Sequence, residues 1–402
     1  MRVLQICSKM PYPPTDGGTI AMNSLTEGLF KAGCEVKVMA INTPKHFIKE
    51  ETIDRDYRRK TKFVSVFVNT NVTVVGAFLN LFTNQSYNIK RFYNNQFETE
   101  LVEILKQETF EVVQLEGIWL APYLNAIRKN SQAAIMLRSH NVEYLIWEQL
   151  AATTINPIKK WYLTLLAKRL KNYEVTMLNK YDGIATITNE DAEAFRKHGC
   201  TIPIITIPFG VDVSKYKIDK QSIEFPSVFH LGAMDWMPNA DGIKWFLENV
   251  WQQVTATHPN VKLYLAGRGM PDWLKQWKMK NVVIVGEVEN SHQFINSKGV
   301  MVVPLNSGSG MRVKIIEGMA FGKTIVSTAI GAEGIECENG KDILIATTAE
   351  EFVTALNKCL NDKLFSETIA KNARIMIESK YDNLIICKKL TAFYNKLITH
   401  NS

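Results

Sequence analysis

Residues 308–322 read GSGMRVKIIEGMAFG, a glycine-rich segment that contains two cations near its start. It follows an apolar run, residues 300–304, that is typical of a buried strand, and Gly322 is placed to end the helix that the stretch predicts. A strand, a glycine-rich turn and a helix start present free backbone N–H groups and a positive dipole end to an anion. Arg312 and Lys314 add two cations where the dipole alone favours acids. The pattern predicts a phosphate site, and an ordinary surface helix is the alternative.

The composition is typical of a soluble globular protein with two domains. The chain has 402 residues, of which 46% are hydrophobic and 22% charged, and this length exceeds what one hydrophobic core usually fills. Its six cysteines form no Cys-x-x-Cys pair, and its seven histidines form no His-x-x-x-His pair. We therefore expect a reducing compartment, no disulfide framework and no metal site.

The sequence predicts a cytoplasmic protein. The first strand-like run stops at Lys9 and is too short for the core of a secretory signal. The most apolar stretch, residues 63–82, is interrupted by asparagine and threonine. We predict a strand, a turn and a short helix there, and no membrane span.

Two basic stretches, residues 55–62 and 159–171, also carry aromatic side chains, and the formal net charge of the chain is +7. Solvated helix faces are one interpretation. The other is peripheral association with anionic lipid at the inner face of the membrane, with Trp161 and Tyr162 at the interface. No nucleic-acid recognition motif accompanies the stretches, so we expect no nucleic-acid partner. The cations that would contact headgroups are Lys159, Lys160, Lys168, Arg169 and Lys171.

Strands and helices alternate along the chain, which predicts an α/β fold with doubly wound parallel sheets. The pattern restarts near residue 227 after a turn-rich segment, residues 207–224, where we place the interdomain linker. A final helix near residues 384–397 has no strand to pair with. The predicted strands of the first half are residues 2–7, 35–41, 63–68, 112–115, 133–137 and 183–187.

Candidate ligand-binding residues follow strands in both halves, because ligands of doubly wound domains bind beyond the carboxyl ends of the strands. Gly17 and Gly18 lie between a strand and a helix start, where glycine lets the backbone approach a ligand closely, although a plain tight turn is the alternative. His140 follows the strand at residues 133–137 and is a candidate active-site group. His230 lies within a strand and is expected to be a core histidine.

The sequence contains six motifs in the order 13–18, 139–143, 207–212, 232–239, 265–269 and 310–322. Together they resemble the family-4 retaining glycosyltransferases, which have the two-domain GT-B architecture. The resemblance covers nearly the whole chain. It implies two Rossmann-like domains facing across a cleft, with a C-terminal helix that crosses back to the first domain. The first, acceptor-side domain is then residues 1–207 plus 382–402, and the second, nucleotide-sugar-binding domain is residues 208–381.

The resemblance implies transfer of a glycosyl unit from a nucleotide-diphosphate sugar to a hydroxyl group, with retained anomeric configuration. The acceptor would be a glycan or a lipid-linked or protein-linked group in bacterial surface glycan or glycoconjugate synthesis. No cofactor beyond this co-substrate is expected. A nucleotide-sugar epimerase of the same architecture and a non-catalytic sugar-nucleotide-binding protein are the alternatives.

The resemblance also assigns residues. Glu317 matches the second glutamate of the family's Glu-x7-Glu motif, which holds the nucleotide ribose. His140 matches a first-domain histidine that lies against the donor sugar, and Gly18 matches the loop beside the diphosphate. The predicted donor-binding set is Gly17, Gly18, Gly267, Arg268, Val288, Gly308, Ser309, Gly310, Met311 and Glu317.

The chain departs from the family pattern at two places. Ser309 stands where the first glutamate of the motif would fall, and the family's usual Arg and Lys after the second domain's first strand fall near Ala233 and Ala240. We expect Arg312 and Lys314 to replace that cationic pair. With His140 they form the predicted catalytic set, which would stabilise charge on the leaving diphosphate without a metal.

Overall fold

The computed structural model describes residues 1–219, 221–308 and 310–401, with His400 and Asn401 described by their backbone only. The chain divides into two compact units. Unit 1 is Met1–Pro208 with Ile386–Ser402, and unit 2 is Phe209–Ile385. Each unit is built on a parallel sheet, so the predicted α/β class with two doubly wound sheets is confirmed.

Unit 1 contains seven strands among its described residues, in the order β3-β2-β1-β4-β5-β6-β7. The strands are β1 (Arg2–Cys7), β2 (Glu35–Asn42), β3 (Val64–Phe67), β4 (Val112–Glu116), β5 (Ala134–Ser139), β6 (Gly183–Thr186) and β7 (Ile204–Thr206). The α-helices are α1 (Gly17–Lys31), α2 (Arg55–Thr61), α3 (Val74–Leu81), α4 (Tyr87–Lys90), α5 (Asn95–Gln107), α6 (Leu124–Asn130), α7 (Glu143–Thr153), α8 (Pro157–Met177) and α9 (Asn189–Lys197).

Unit 2 contains six strands among its described residues, in the order β10-β9-β8-β11-β12-β13. The strands are β8 (Glu224–Leu231), β9 (Lys262–Ala266), β10 (Val282–Gly286), β11 (Lys298–Val303), β12 (Ile325–Ser327) and β13 (Leu344–Ile345). The α-helices are α10 (Met237–Phe246), α11 (Gln252–Thr257), α12 (Asp272–Lys275), α13 (Ser291–Asn296), α14 (Val313–Ala320), α15 (Ala349–Asn361), α16 (Lys363–Met376) and α17 (Asn383–Asn401), the last of which continues into unit 1.

The central strands of unit 1 are buried on both faces, as expected for a parallel sheet covered by helices. The C-terminal helix α17 forms part of one cover. Its Leu390 and Tyr394 belong to the same apolar cluster as Val3 and Val36 of the sheet. A Cβ on Gly183 of β6 would stand 2.8 Å from a methyl group of Leu397, so this close approach needs glycine. The predicted return of the last helix to the first domain is confirmed.

Three local predictions differ from the structure. The helical pattern of residues 88–106 predicts one helix, whereas the structure has two, because the Asn94 side chain accepts the Phe97 N–H and starts α5 anew. Strand β7 was not predicted, since it is only three residues long. The helix predicted from residues 308–322 begins at Val313, and Gly308 and Gly310 precede it. Arg312 is therefore the N-cap and not a first-turn residue, and Gly322, at φ +61°, follows the C-cap Phe321.

Within the described ranges, no helix has both the length and the apolar character needed to cross a bilayer.

Candidate functional site

In unit 2, the predicted donor residues Gly267 and Gly308 lie on the loops after β9 and β11, the two strands that flank β8 in the sheet. Gly267 follows β9 with φ +140°, and a side chain there would collide with the backbone carbonyl of Gly232, which follows β8. A side chain on Gly232 would in turn collide with Nζ of Lys314. Two glycines therefore let the three loops meet around the Lys314 ammonium.

Lys314 is held by two side chains from the β8 region. Its Nζ donates to Oδ1 of Asn239 across 2.8 Å and lies 3.3 Å from Nε2 of His230. Nδ1 of His230 lies 2.8 Å from the carbonyl oxygen of Val302, which can only accept, so Nδ1 carries the proton and Nε2 is an acceptor. Burial, with a smaller contribution from Arg312, lowers the pKa of Lys314 to about 7. Lys314 is thus a buried group poised between its charged and neutral forms.

Arg312 lies beside the aromatic ring of Trp236. Its guanidinium carbon is 5.3 Å from the ring centroid, and its Nη1 donates to the carbonyl oxygen of Gly310 across 2.6 Å. A Cβ on Gly308 would stand 3.0 Å from both Arg312 and Trp236. The side chain is only 7% exposed, and burial lowers its pKa from the usual value, although an arginine stays charged. The loop before α14 therefore contains a buried cation stacked on an aromatic wall.

Glu317 lies one turn into α14 and faces an aromatic cluster. Its Oε1 accepts a hydrogen bond from the hydroxyl of Tyr216 across 3.2 Å and is 3.9 Å from Nε2 of His292. The rings of Tyr216, His292 and Phe321 are 4.8 to 5.1 Å apart, centroid to centroid. Burial raises the pKa of Glu317, and the hydrogen bond from Tyr216 opposes that rise. The carboxylate keeps acceptor capacity for a ligand hydroxyl.

The other predicted donor residues are more scattered. Arg268 is half-exposed, and its Nε lies 3.6 Å from Oδ2 of Asp235. Val288 is two residues beyond β10, and Met311 immediately precedes the N-cap of α14. Ser309, where the family motif would place a glutamate, lies outside the described residues.

In unit 1, His140 follows β5 and pairs with Glu116, the last residue of β4. Nε2 of His140 lies 2.7 Å from Oε2 of Glu116, and Oε1 of Glu116 accepts from Nε2 of Gln5 across 2.8 Å. Burial raises the pKa of Glu116, but the hydrogen bond from His140 and the charge of Arg138 outweigh it and hold that pKa below its usual value. The carboxylate is therefore ionised and acts as the acceptor, so Nε2 of His140 donates. Nδ1 is then left as an acceptor when the ring is neutral.

Gly17 and Gly18 open α1. Asp16 and Thr19 cap this helix reciprocally, each side chain accepting the other's backbone N–H. Nζ of Lys9 lies 2.7 Å from Oδ1 of Asp16, and a Cβ on Gly18 would stand 3.0 Å from the same nitrogen. The glycine turn thus adjoins a lysine–aspartate pair at the carboxyl end of β1.

Several contacting residues were not singled out from the sequence as site residues. Trp236 and Asn239 lie in the motif at residues 232–239, and their spacing from Gly232, which follows a strand, was the signal that could have identified them. Glu116 ends an otherwise apolar strand, and an acid in that position was a usable signal. Tyr216 gave none, because it lies in the segment taken as a linker.

No group of three or more histidine, cysteine, aspartate or glutamate side chains in the described part of the chain could hold a metal ion. Metal independence of the chemistry remains a prediction.

Two doubly wound parallel-sheet units of this kind define the GT-B glycosyltransferase fold. HepE from Anabaena, solved in complex with UDP, resembles this chain with a TM-score of 0.69 over 98% of this chain and 100% of that one. The two sequences are 14% identical, so this likeness concerns the fold alone.

The chain belongs to the family described as Glycosyltransferase Family 4, whose profile matches residues 15–215, half of the chain. The profile described as Glycosyl transferases group 1 matches residues 225–362. An uncharacterized 44.6 kDa protein in the cps region of Klebsiella pneumoniae is 22% identical over 395 residues, covering 95% of this chain and 97% of that one. The capsular polysaccharide biosynthesis glycosyltransferase CapM of Staphylococcus aureus is 24% identical over 204 residues, covering 47% of this chain and 53% of CapM.

Proposed function

We propose that this protein transfers a glycosyl unit from a nucleoside diphosphate sugar to a hydroxyl acceptor, with retention of configuration, during synthesis of a capsular or other surface polysaccharide. The observation that carries the proposal is the cluster of Arg312, Lys314 and Trp236 around the start of α14 in a family-4 chain. The capsular naming of CapM and the cps location of the Klebsiella protein support the polysaccharide context. The UDP in HepE supports a nucleotide-linked donor.

In the proposed reaction the bond between the anomeric carbon and the diphosphate oxygen breaks, and its electron pair leaves with the diphosphate. The acceptor hydroxyl oxygen forms the new bond to the anomeric carbon, and its proton passes to the leaving diphosphate. Arg312 and protonated Lys314 would stabilise the charge that grows on the diphosphate. Glu317 would accept hydrogen bonds from the ribose hydroxyls. These groups carry the proposal that neither a metal nor a further cofactor takes part.

His140 is proposed to bind the sugar being transferred. Because its Nε2 is committed to Glu116, Nδ1 is available to accept a hydrogen bond from a sugar hydroxyl. The ionised Glu116 holds the ring in one orientation, with Nδ1 as its free acceptor. This arrangement suits a positioning and electrostatic role better than proton abstraction.

Peripheral association with anionic membrane is also proposed, through α3 and the start of α8. On α3 the side chains of Val74, Phe78 and Phe82, the last its C-cap, are 87%, 58% and 76% exposed, and Trp161 of α8 is 59% exposed. Ala77 of α3 packs on the cluster formed by α7 and α8, so the two exposed faces belong to one packed layer. Large apolar exposure beside cations is typical of an interfacial surface.

The structure alters which residues this membrane proposal uses. Tyr162 packs inward against the α7–α8 cluster, and Arg169 donates to the carbonyl oxygens of Asn80 and Leu81 at the end of α3. Neither is therefore a free interfacial side chain. In the other basic stretch, Lys60 and Lys62 form ion pairs with acids, which makes that stretch a poorer lipid contact.

Vesicle co-sedimentation tests the membrane proposal. We expect binding to anionic vesicles that falls at moderate salt and is lost in Phe78→Ser/Phe82→Ser. The matched control is Leu364→Ser, which alters a 74% exposed residue of unit 2. Equal binding to neutral and anionic vesicles, or none to either, contradicts the proposal.

The transferase proposal is tested by following nucleotide release from a panel of nucleoside diphosphate sugars, with and without glycan or lipid-linked acceptors. We expect acceptor-dependent release from the matching donor and, by NMR of the product, retained anomeric configuration. Release should be unchanged by chelator and strongly slowed in Arg312→Ala, but kept in Arg59→Ala, an exposed control. Conversion of the donor to an isomer without acceptor would identify an epimerase, and binding without turnover a binding protein.

A further inference from the structure

Unit 1 contains a cavity of about 450 Å³ that the donor assignments do not use. Its walls come from the segments that follow β1, β2 and β3 and from Trp119, which follows β4. This is the carboxyl edge of the sheet, where doubly wound domains bind their ligands.

The described lining of the cavity is cationic. Lys9, Lys45 and Arg91 contribute basic side chains, His46 lies among them, and no carboxylate is among the lining residues that the structure describes. The neighbouring acid is Asp16, whose carboxylate pairs with Lys9 and lies 3.8 Å from Nδ1 of His46. One carboxylate among three cations leaves a net positive site, which favours an anionic ligand.

Two buried polar groups of this wall lack a partner within the described structure. The hydroxyl of Thr43, a residue only 4% exposed, forms no hydrogen bond. Nη1 of Arg91 donates to the carbonyl oxygen of Thr70 across 2.8 Å, whereas its Nε is buried without an acceptor. Buried polar groups normally have partners, so these two indicate a polar ligand with acceptor oxygens.

The same wall also has an apolar, aromatic surface. The rings of Phe92 and Trp119 are stacked with centroids 5.3 Å apart and an interplanar angle of 27°. Both rings are partly exposed and line the cavity. A flat apolar surface suits the C–H face of a sugar ring, whereas a bare inorganic anion gains nothing from it.

We propose that the acceptor is a saccharide bearing a carboxylate or a phosphate group, and that this cavity on the acceptor-side domain binds it. The inference rests on the proposed function, because it names the substrate class of that transfer. Arg91 and Lys45 bind the anionic group, Thr43 donates to or accepts from an adjacent oxygen, and Trp119 carries the ring.

Ligand binding without donor tests the proposal. The probes are methyl glucuronoside, glucose 6-phosphate, neutral methyl glucoside and inorganic phosphate, with dissociation constants from calorimetry or NMR titration. We expect at least one charged saccharide to bind ten-fold or more tightly than methyl glucoside and more tightly than inorganic phosphate. The carboxylate and phosphate arms identify which anion is preferred.

Variants decide which side chains act. Arg91→Gln and Lys45→Gln should each remove most of the preference for the charged probe, and Arg91→Lys should restore part of it. Trp119→Ala should weaken the saccharides but not inorganic phosphate. Arg59→Gln, an 84% exposed cation on α2, is the matched control and should change nothing.

The inference is overturned if charged and neutral saccharides bind with equal affinity or if no saccharide binds. It is also overturned if Arg91→Gln, with an unchanged thermal midpoint, keeps the full preference for the charged saccharide. If transfer to neutral acceptors persists while this binding fails, only the acceptor assignment is wrong. If the cavity binds as expected but no donor panel member is turned over, the proposed function fails and the site remains.

Discussion

Oε2 of Glu116 accepts a hydrogen bond from Nε2 of His140 across 2.7 Å, which joins the ends of two neighbouring strands of unit 1. The pair is inside the sheet edge, since Glu116 is fully buried and His140 is 20% exposed. Because the buried, ionised carboxylate accepts from Nε2, it fixes the tautomer of the His140 ring and the direction in which Nδ1 faces.

We expect Glu116→Gln to lower kcat about ten- to hundred-fold with little effect on donor affinity. The amide keeps a hydrogen bond but loses the charge, and a hydrogen bond to a charged group contributes about 1.5–3 kcal/mol. Steady-state kinetics and donor titration are the measurements, with the exposed Glu103→Gln as control. A fall in donor affinity with unchanged kcat would show that the pair contributes only to ground-state binding of the donor and not to stabilisation of the transition state.

The low pKa of Lys314 predicts that donor binding takes up a proton at alkaline pH. Above about pH 7 the free amine is mostly neutral, and the diphosphate favours its ammonium form. Donor affinity should therefore fall by up to about ten-fold per pH unit above 7. Calorimetry in buffers of different ionisation enthalpy should detect the proton, and Lys314→Met should abolish both effects. Buffer-independent enthalpies in the wild-type protein would contradict this role.

Arg312→Ala is expected to cost about 2–3 kcal/mol of transition-state stabilisation, because a charged hydrogen bond to the diphosphate is lost. Arg312→Ala/Lys314→Ala should cost more. Trp236→Ala should reduce kcat/KM by a smaller factor, since it removes the ring that holds the guanidinium, and Trp236→Phe should recover part of it. Wild-type turnover in the double variant would place the diphosphate clamp elsewhere.

Glu317→Gln should weaken donor binding by about 1 kcal/mol while kcat at saturating donor stays near the wild-type value. One acceptor oxygen becomes a donor nitrogen, and the ribose hydroxyls lose an acceptor. The comparison variant is Tyr216→Phe, which removes the observed hydrogen bond to Glu317 without altering the carboxylate. An unchanged donor dissociation constant together with near-zero turnover would point to a chemical role for Glu317.

Glu174 predicts a pH dependence of stability that is separate from activity. Its carboxylate accepts the backbone N–H groups of Glu143 and Tyr144 at the start of α7, and burial raises its pKa to about 8. The raised pKa means that its stabilising contribution is complete below the unfolded pKa of about 4.3 and is lost as pH rises towards 8.

The free energy of unfolding of Glu174→Gln should therefore depend less on pH than that of the wild type, with slopes that differ by up to about 1.4 kcal/mol per pH unit across that window. Denaturant unfolding at pH 5 and pH 8 is the measurement. Glu148→Gln, a more exposed carboxylate of α7, serves as control. Parallel wild-type and Glu174→Gln curves would show that this carboxylate does not titrate in the window.

The alternation of short apolar runs with helical stretches was enough to predict two doubly wound sheets, because a strand buried on both faces has a local signature in its own residues. The same holds for the glycine motifs, since a glycine between a strand and a helix marks a turn wherever it occurs. It holds less well for element ends. Arg312 proved to be an N-cap with an extended backbone, and residues 88–106 proved to be two helices because the Asn94 side chain caps the second of them, which periodicity does not reveal.

The candidate site depended on tertiary structure far more than the fold did. His140 finds Glu116 24 residues away, Lys314 finds Asn239 75 residues away, and Glu317 finds Tyr216 101 residues away. The sequence alone indicated which residue types could bind a phosphate and at which strand ends they lay. Which side chains meet, and whether a lysine is charged or nearly neutral, was decided only when parallel strands brought their carboxyl ends to one edge and burial removed water from the groups gathered there.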